Sequence, residues 1–371
     1  MSGALPWVTM ILAVATVVAA ISLLTVKLAH RIILRGRGVR MATYVAAIGE
    51  MISRHYIPAR IPRQWARDSS FHDSLIDYRR LVEGEDRRFI DELVEAIGIN
   101  GALRRMVRLR FPQAVRLRAI ATLVELATTD DIDVLRFLLG NRNNYARTHA
   151  AHGLARVGDL ESIPVILDLG ARVPPWEAGR LADALALFGP RAVKGIVRWL
   201  EEAMSEPSTP VEVVAQAARV LGVIGDPTAE PLLLELLTSQ RDQWRLAAAS
   251  ALGSLCTDAA RLPLINALED PMWEVRARAV RSLASLADPL VAMPVATLLT
   301  DREWWVRQNA AQTLAEIPGG VAQLMAALAS PDRFARDAAR NQLAELRMLP
   351  PDHDVAPPGQ TERVGVEMRT T

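Results

Sequence analysis

Cysteine is nearly absent from this 371-residue chain, where Cys256 stands alone. A single thiol excludes an intramolecular disulfide framework and a cysteine-rich zinc site. Aromatics are only 5% of the residues although half are hydrophobic, so the apolar mass is mainly Leu, Ala, Val and Ile. That composition suits close-packed helices or a membrane segment and disfavours a β-sandwich. Lysine is scarce too: Lys27 and Lys194 are the only two, and the remaining basic residues are arginines. This skew reads as genomic base composition rather than function. Familiar chemical motifs are also missing. Gly36-Arg37-Gly38 lacks the following helix and the Lys-Ser/Thr of a phosphate loop, and no serine sits in a Gly-x-Ser-x-Gly elbow.

Charge is absent from Met1 to Val26. The run from Leu5 to Val26 is apolar almost throughout; as a helix of 22 residues it would span roughly 33 Å, enough for a hydrocarbon core of about 30 Å. Trp7 sits near its outer end, where an indole suits the interface. Lys27, Arg31, Arg35, Arg37 and Arg40 follow, with no acid before Glu50. The spacing predicts a transmembrane helix over 1–28, N-terminus out, with the rest in the cytoplasm. A cleaved signal peptide would need a basic leading segment and a shorter apolar stretch. Residues 29–70 read as a basic juxtamembrane helix and a linker broken by Pro58 and Pro62. A second basic run, Arg104, Arg105, Arg108, Arg110, Arg116 and Arg118, has no acid between Glu95 and Glu125. These segments either meet anionic lipid or set topology and face solvent. The net charge of +1 conceals this asymmetry: residues 1–120 hold 19 basic and 10 acidic groups, and the remainder carries −8.

From about residue 112 the chain repeats itself. Arginines at Arg116, Arg147, Arg245, Arg276, Arg307 and Arg336 are each followed by Ala three residues on and by Leu seven on. Ala178 and Val214 replace the arginine in two further copies. The leucines fall at Leu123, Leu154, Leu185, Leu221, Leu252, Leu283, Leu314 and Leu343, a period of 31 broken once by a polar insert near 202–210 and once by a short turn at Pro318-Gly319-Gly320. Each unit reads as two helices. The first stops at Gly158, Gly189 or Gly225, and the second often carries proline in its first turn, as at Pro164, Pro231, Pro263 and Pro294. Neither helix buries its apolar face alone, but stacked units do. The predicted fold class is therefore all-α: an α-solenoid over 112–349, N-terminal capping helices over 71–111 and a Pro-rich disordered tail over 350–371.

The segment DREWWVRQNAA carries a D…V-R-x-x-A-A-x-x-L pattern, and DPMWEVRARAV follows it with Val280 at the second Ala. It resembles the HEAT-like repeats of about 31 residues first grouped with phycobilisome lyases. The resemblance implies a ladder of Asp and Arg between neighbouring repeats, falling to Asp270 with Arg276, Asp301 with Arg307, and Asp332 with Arg336. It also brings alternatives, a nucleic-acid-binding protein or a lyase or hydroxylase. The HEAT-like di-iron hydroxylases use His-Glu pairs, and this chain has no such dipeptide. A phosphate-tracking solenoid would be basic along its length, which residues 121–371 are not.

No catalytic or metal residue stands out, and no cofactor, nucleic acid or small-molecule substrate is expected. His149 and His152 lie one helical turn apart and could face one metal, or be solvated or core residues. Cys256 falls at a helix-end position that reads as a buried small residue. Trp176, Trp244, Trp273, Trp304 and Trp305 gather at the starts of first helices. They form either an aromatic row for a protein partner or packing between repeats; adjacent Trp304 and Trp305 cannot both point inward. Arg136, Arg198, Trp199 and Glu235 interrupt otherwise apolar second helices and are further contact candidates. The expectation is a non-enzymatic, membrane-anchored scaffold that binds or braces a membrane-associated protein partner.

Overall fold

The computed structural model describes residues 39–349 except 63, 110, 207 and 208. The expected anchor over 1–28, with Trp7 and Lys27, lies outside the described residues, as do Arg31, Arg35, Arg37 and the tail 350–371. Among the described residues there is no strand, and no helix is long and apolar enough to cross a membrane. The chain divides into two compact units, Met1–Asp159 and Leu160–Thr371.

The first unit opens with a helix over 39–54 (α1). It continues through α2 (Ser69–Leu81), α3 (Gly84–Ile97), α4 (Ile99–Arg108), α5 (Gln113–Glu125), α6 (Ile132–Leu139) and α7 (Asn144–Val157). The proline linker does break the helix, but α1 folds back. Its Ile48 is fully buried, and the Tyr44 ring lies 5.3 Å from both Trp65 and Phe71. The Tyr44 hydroxyl donates to Asp68 Oδ2 at 2.8 Å, and Asp68 also caps α2 by accepting from Ser70 N–H. Tyr78 on α2 donates to the Val45 carbonyl of α1 at 2.9 Å. Three helices, α2 to α4, occupy the predicted capping region, with Gly98 in the left-handed conformation separating α3 from α4. Arg79 joins α2 to α3 and α5 through Asp91 Oδ1 and the Glu125 carbonyl.

The second unit starts with α8 (Ile163–Gly170), α9 (Pro175–Ala186), α10 (Val193–Ser205) and α11 (Val211–Ile224). It continues with α12 (Glu230–Leu237), α13 (Asp242–Leu255), α14 (Arg261–Asn266) and α15 (Trp273–Ala284). The last four helices are α16 (Ala292–Thr297), α17 (Trp304–Glu316), α18 (Gly320–Ala327) and α19 (Arg333–Glu345). The odd-numbered helices from α9 to α19 pack side by side in chain order, and each even-numbered helix packs against the odd one that follows. This is the layered stacking of a solenoid. All eight repeat leucines are at most 2% exposed, so the period marks the side chains that form the cores. The departures from the period have local causes. The longer spacing before Leu221 goes largely into α10, which has 13 residues where α12 has 8, so part of the expected polar insert is helix. The short spacing before Leu343 coincides with a direct turn at Gly319, left-handed, into α18.

Candidate functional site

In the second unit Arg245 and Arg276 lie where a second helix returns to the next first helix. Arg245 donates from Nε and Nη2 to the two carboxylate oxygens of Asp270, at 2.7 and 3.0 Å. Arg276 does the same to Asp301, at 2.7 and 2.9 Å. Each arginine also donates to a carbonyl six residues behind it, Arg245 to Ser239 and Arg276 to Asp270. A ladder does run between neighbouring repeats, but the expected pairing of Asp270 with Arg276 and Asp301 with Arg307 is corrected. Asp270 and Asp301 give their carboxylates to the arginine of the preceding repeat and only a backbone carbonyl to Arg276 and Arg307. Those carboxylates also accept from Met272 and Glu303 N–H, which fixes the turn into α15 and α17. Burial pushes Asp301 up, but the bonds from Arg276 and the Glu303 N–H outweigh it and hold its pKa below the usual value.

The ladder ends differently at each limit of the series. Arg307 lies 4.5 Å over the ring of Phe334 instead of pairing with Asp332, which caps α19 by accepting from Ala335 N–H. Arg336 donates to the Ser330 and Pro331 carbonyls. In the first unit, Arg147 donates to the carbonyls of Asn141 and Arg142, and Arg116 Nε is buried without a hydrogen-bond partner. The opposite edge of the second unit carries rungs that sequence reasoning missed. Thr257 donates to Glu230, and Arg261 pairs with Asp288. Glu230 and Arg261 are one period apart, as are Thr257 and Asp288, and that spacing was the available signal.

Several partner-surface candidates turn out to be packing residues. Trp199 is buried, with Nε1 donating to Asp168 Oδ1 at 2.9 Å. Trp244 is buried, with Nε1 donating to the Val211 carbonyl at 3.1 Å. Arg136 is engaged with Asp159 through two bonds of 2.7 and 2.5 Å. Trp273 is half-buried. Arg198 and Glu235 are exposed. Trp176, Trp304 and Trp305 are exposed by 57%, 54% and 57%. Both members of the adjacent pair face outward, against each other edge-on at 4.6 Å. Phe334, 54% exposed and not anticipated, starts the next first helix.

The basic residues in the first unit are partly neutralised. Arg40 lies 3.6 Å from Asp68, Arg104 3.1 Å from Asp131, and Arg118 3.7 Å from Asp73. Asp131 is fully buried, and burial raises its pKa despite the Thr128 N–H and Arg104. The two histidines on α7 each bond a carbonyl of their own helix through Nδ1, His149 to Tyr145 and His152 to Thr148. Among the described residues no three His, Cys, Asp or Glu side chains gather as a metal site. Cys256 is exposed rather than buried. It ends α13 in the left-handed conformation, with Sγ donating to the Ser285 carbonyl at 2.7 Å.

A cavity of about 410 Å³ opens between α8, α9 and α11. Its walls include Ile166, Leu181 and Val213, with Ala178 at the ladder register and Gln216 and Arg219 from α11.

A family model for HEAT repeats matches residues 197–263 and 261–344. Residues 197–344 carry HEAT repeats. These are the repeats that hold both complete Arg–Asp rungs. No curated protein matches the chain. Among solved structures, an engineered protein is 21% identical, covering 83% of this chain and 96% of its own, at a TM-score of 0.36. The karyopherin Kap95p, in a structure with RanGDP, is 14% identical over 73% of this chain and 44% of its own, at 0.46. The CpcE–CpcF phycocyanin lyase complex of a Nostoc species is 18% identical over 67% and 94%, at 0.30. At these identities and scores the likenesses carry no argument about activity.

Proposed function

We propose that the chain is a non-enzymatic HEAT-repeat scaffold, held at the cytoplasmic face of a membrane by residues 1–28, that binds a membrane-associated protein. The observation that carries the protein-binding part is the aromatic edge of the last repeats. Trp304, Trp305 and Phe334 begin successive first helices and leave more than half of their surface uncovered. Intramolecular packing does not account for that exposure, and Trp is the residue most enriched among interface hot spots. Arg302 and Arg333 are exposed beside these aromatics in sequence, which fits an apolar centre with a polar rim. The membrane part is supported by the charge-free run Met1–Val26 followed by basic residues without an acid before Glu50.

Crosslinking in native membranes followed by pull-down tests the reading. The full chain is expected to recover a defined partner, and the Trp304→Ala/Trp305→Ala double variant to lose it while keeping its helix content. A variant shortened across 202–210 measures the part played by the extended α10. An unchanged partner set in the tryptophan double variant would remove the aromatic edge as the docking surface.

A further inference from the structure

The cavity between α8, α9 and α11 sits where the ladder is interrupted. In α13 and α15 the edge position is filled by Arg245 and Arg276, whose side chains cross to the next repeat. At that register α9 has Ala178, and Ala178 is on the cavity wall. Loss of the long side chain leaves space that Leu181, Leu185, Val213 and Val220 line with apolar surface. The resulting volume of about 410 Å³ falls within the range of small-molecule pockets, roughly 300–1,000 Å³.

The polar part of the lining is as informative. Arg219 of α11 donates to Gln216 Oε1 at 2.9 Å, and no carboxylate among the described residues pairs with it. Partial desolvation of its guanidinium lowers its pKa although the side chain stays exposed, and so does the nearby charge of Arg278, another cation. The ladder arginines Arg245 and Arg276 have carboxylate partners; Arg219 has a neutral amide and a like charge. Glu212 also lines the cavity but makes no ion pair with it. An apolar pocket lined in part by Arg219, an exposed cation without a carboxylate partner among the described residues, is complementary to an apolar chain ending in an anion.

We propose that this cavity binds a small aliphatic carboxylate, with its alkyl chain against Ala178 and Leu181 and its carboxylate on Arg219 and Gln216. The site is independent of the aromatic edge and of membrane anchoring. Octanoate, used well below micelle formation, is the probe, titrated calorimetrically into the full chain beside octanamide and octylamine. Octanoate is expected to bind one to one, octanamide roughly tenfold more weakly for lack of the charged bond, and octylamine not at all. Ala178→Phe, which fills the chamber, is expected to abolish octanoate binding. Arg219→Gln, at an exposed position, is expected to bring octanoate down to octanamide. Circular dichroism reports whether each variant folds, and Arg219→Gln decides alone if Ala178→Phe does not. Absence of octanoate binding overturns the proposal, as does binding that survives in folded Ala178→Phe. Equal binding of octylamine, or of octanoate to Arg219→Gln, overturns the role of the cation. Binding only of peptides that end in an aliphatic residue would move the site to protein recognition and overturn the small-molecule assignment.

Discussion

A ladder aspartate has three duties at once: it accepts two bonds from an arginine of the preceding repeat, receives a backbone N–H at the turn, and lends its carbonyl to the next arginine. Asp301 does all three. Replacing it with Asn leaves Arg276, which is 6% exposed, without its charge partner. Breaking a buried pair in this way costs about 3–5 kcal/mol, so Asp301→Asn is expected to lower the denaturant midpoint of the second unit sharply. The pH dependence follows from the same geometry. The folded pKa of Asp301 lies below its unfolded value near 3.9. Its stabilisation is therefore complete above about pH 4 and is lost as pH falls through the lower, folded value. Thermal melts from pH 5 downward should show a steeper acid loss in the native chain than in the Asn variant. Left-handed Ala287 offers a change in the opposite direction. At φ 48 a Cβ is unfavourable by about 1–2 kcal/mol, more than the extra chain entropy of glycine. Ala287→Gly is expected to raise stability by about 0.5–1 kcal/mol. At this scale the sequence revealed which residues matter better than which residues they meet. The ladder arginines were legible from the period, but a carboxylate 25 residues ahead and a carbonyl six behind both lie beside the same guanidinium in a stack. The period alone does not choose between them. Trp199 and Trp244 misled for a similar reason, since whether an indole is buried depends on an acceptor such as Asp168 or the Val211 carbonyl, far away in sequence.

Helix spacing within the second unit is set by its smallest residues. A Cβ on Gly253 would lie 2.4 Å from Ser282 Oγ and 2.8 Å from its Cα, and one on Gly222 would lie 2.6 Å from Ala251 Cα. These glycines let α11, α13 and α15 approach backbone to backbone. Gly179 on α9 has nothing within 4 Å of the same position. Alanine has the better helix propensity by about 1 kcal/mol at any of these sites, but overpacking costs about 1–3 kcal/mol. Gly253→Ala is thus expected to destabilise by about 1–2 kcal/mol, and Gly179→Ala to stabilise by up to about 1 kcal/mol; equal shifts in chemical denaturation would refute the close-approach argument. Elements were the most legible level. Alternation of paired helices, their glycine stops and the identity of the buried leucines follow from a pattern that each repeat restates. The extension of α10 escaped notice because a polar stretch such as EEAMS reads as insert or as solvated helix equally well. The cavity escaped for a deeper reason: an alanine in place of an arginine shows a missing contact, while the space it leaves depends on how far the neighbouring helices close in.

The proposed membrane attachment would rest on the charge pattern at one end and the packing of α1 at the other. Val26 and Val39 are 13 positions apart, so the connecting chain reaches at most roughly 45 Å. From there α1 is locked to α2 by Tyr44, Asp68 and Tyr78. An anchor at 1–28 would therefore hold the first unit near the bilayer rather than on a long tether, and Arg40 would share its charge between lipid and Asp68. Two modes of attachment separate experimentally. An apolar span resists salt and alkaline carbonate and yields to detergent. Basic residues alone bind through interactions screened within about 8 Å at physiological ionic strength, and salt releases them. The full chain is expected to stay in the membrane pellet through both washes. A chain starting at residue 39 is expected in the soluble fraction with its helix content intact, because the described α1 packs on its own unit. Release of the full chain by carbonate would replace the spanning segment with peripheral binding. Loss of residues 1–26 from the mature protein would identify them as a cleaved leader and put the repeats on the other side of the membrane.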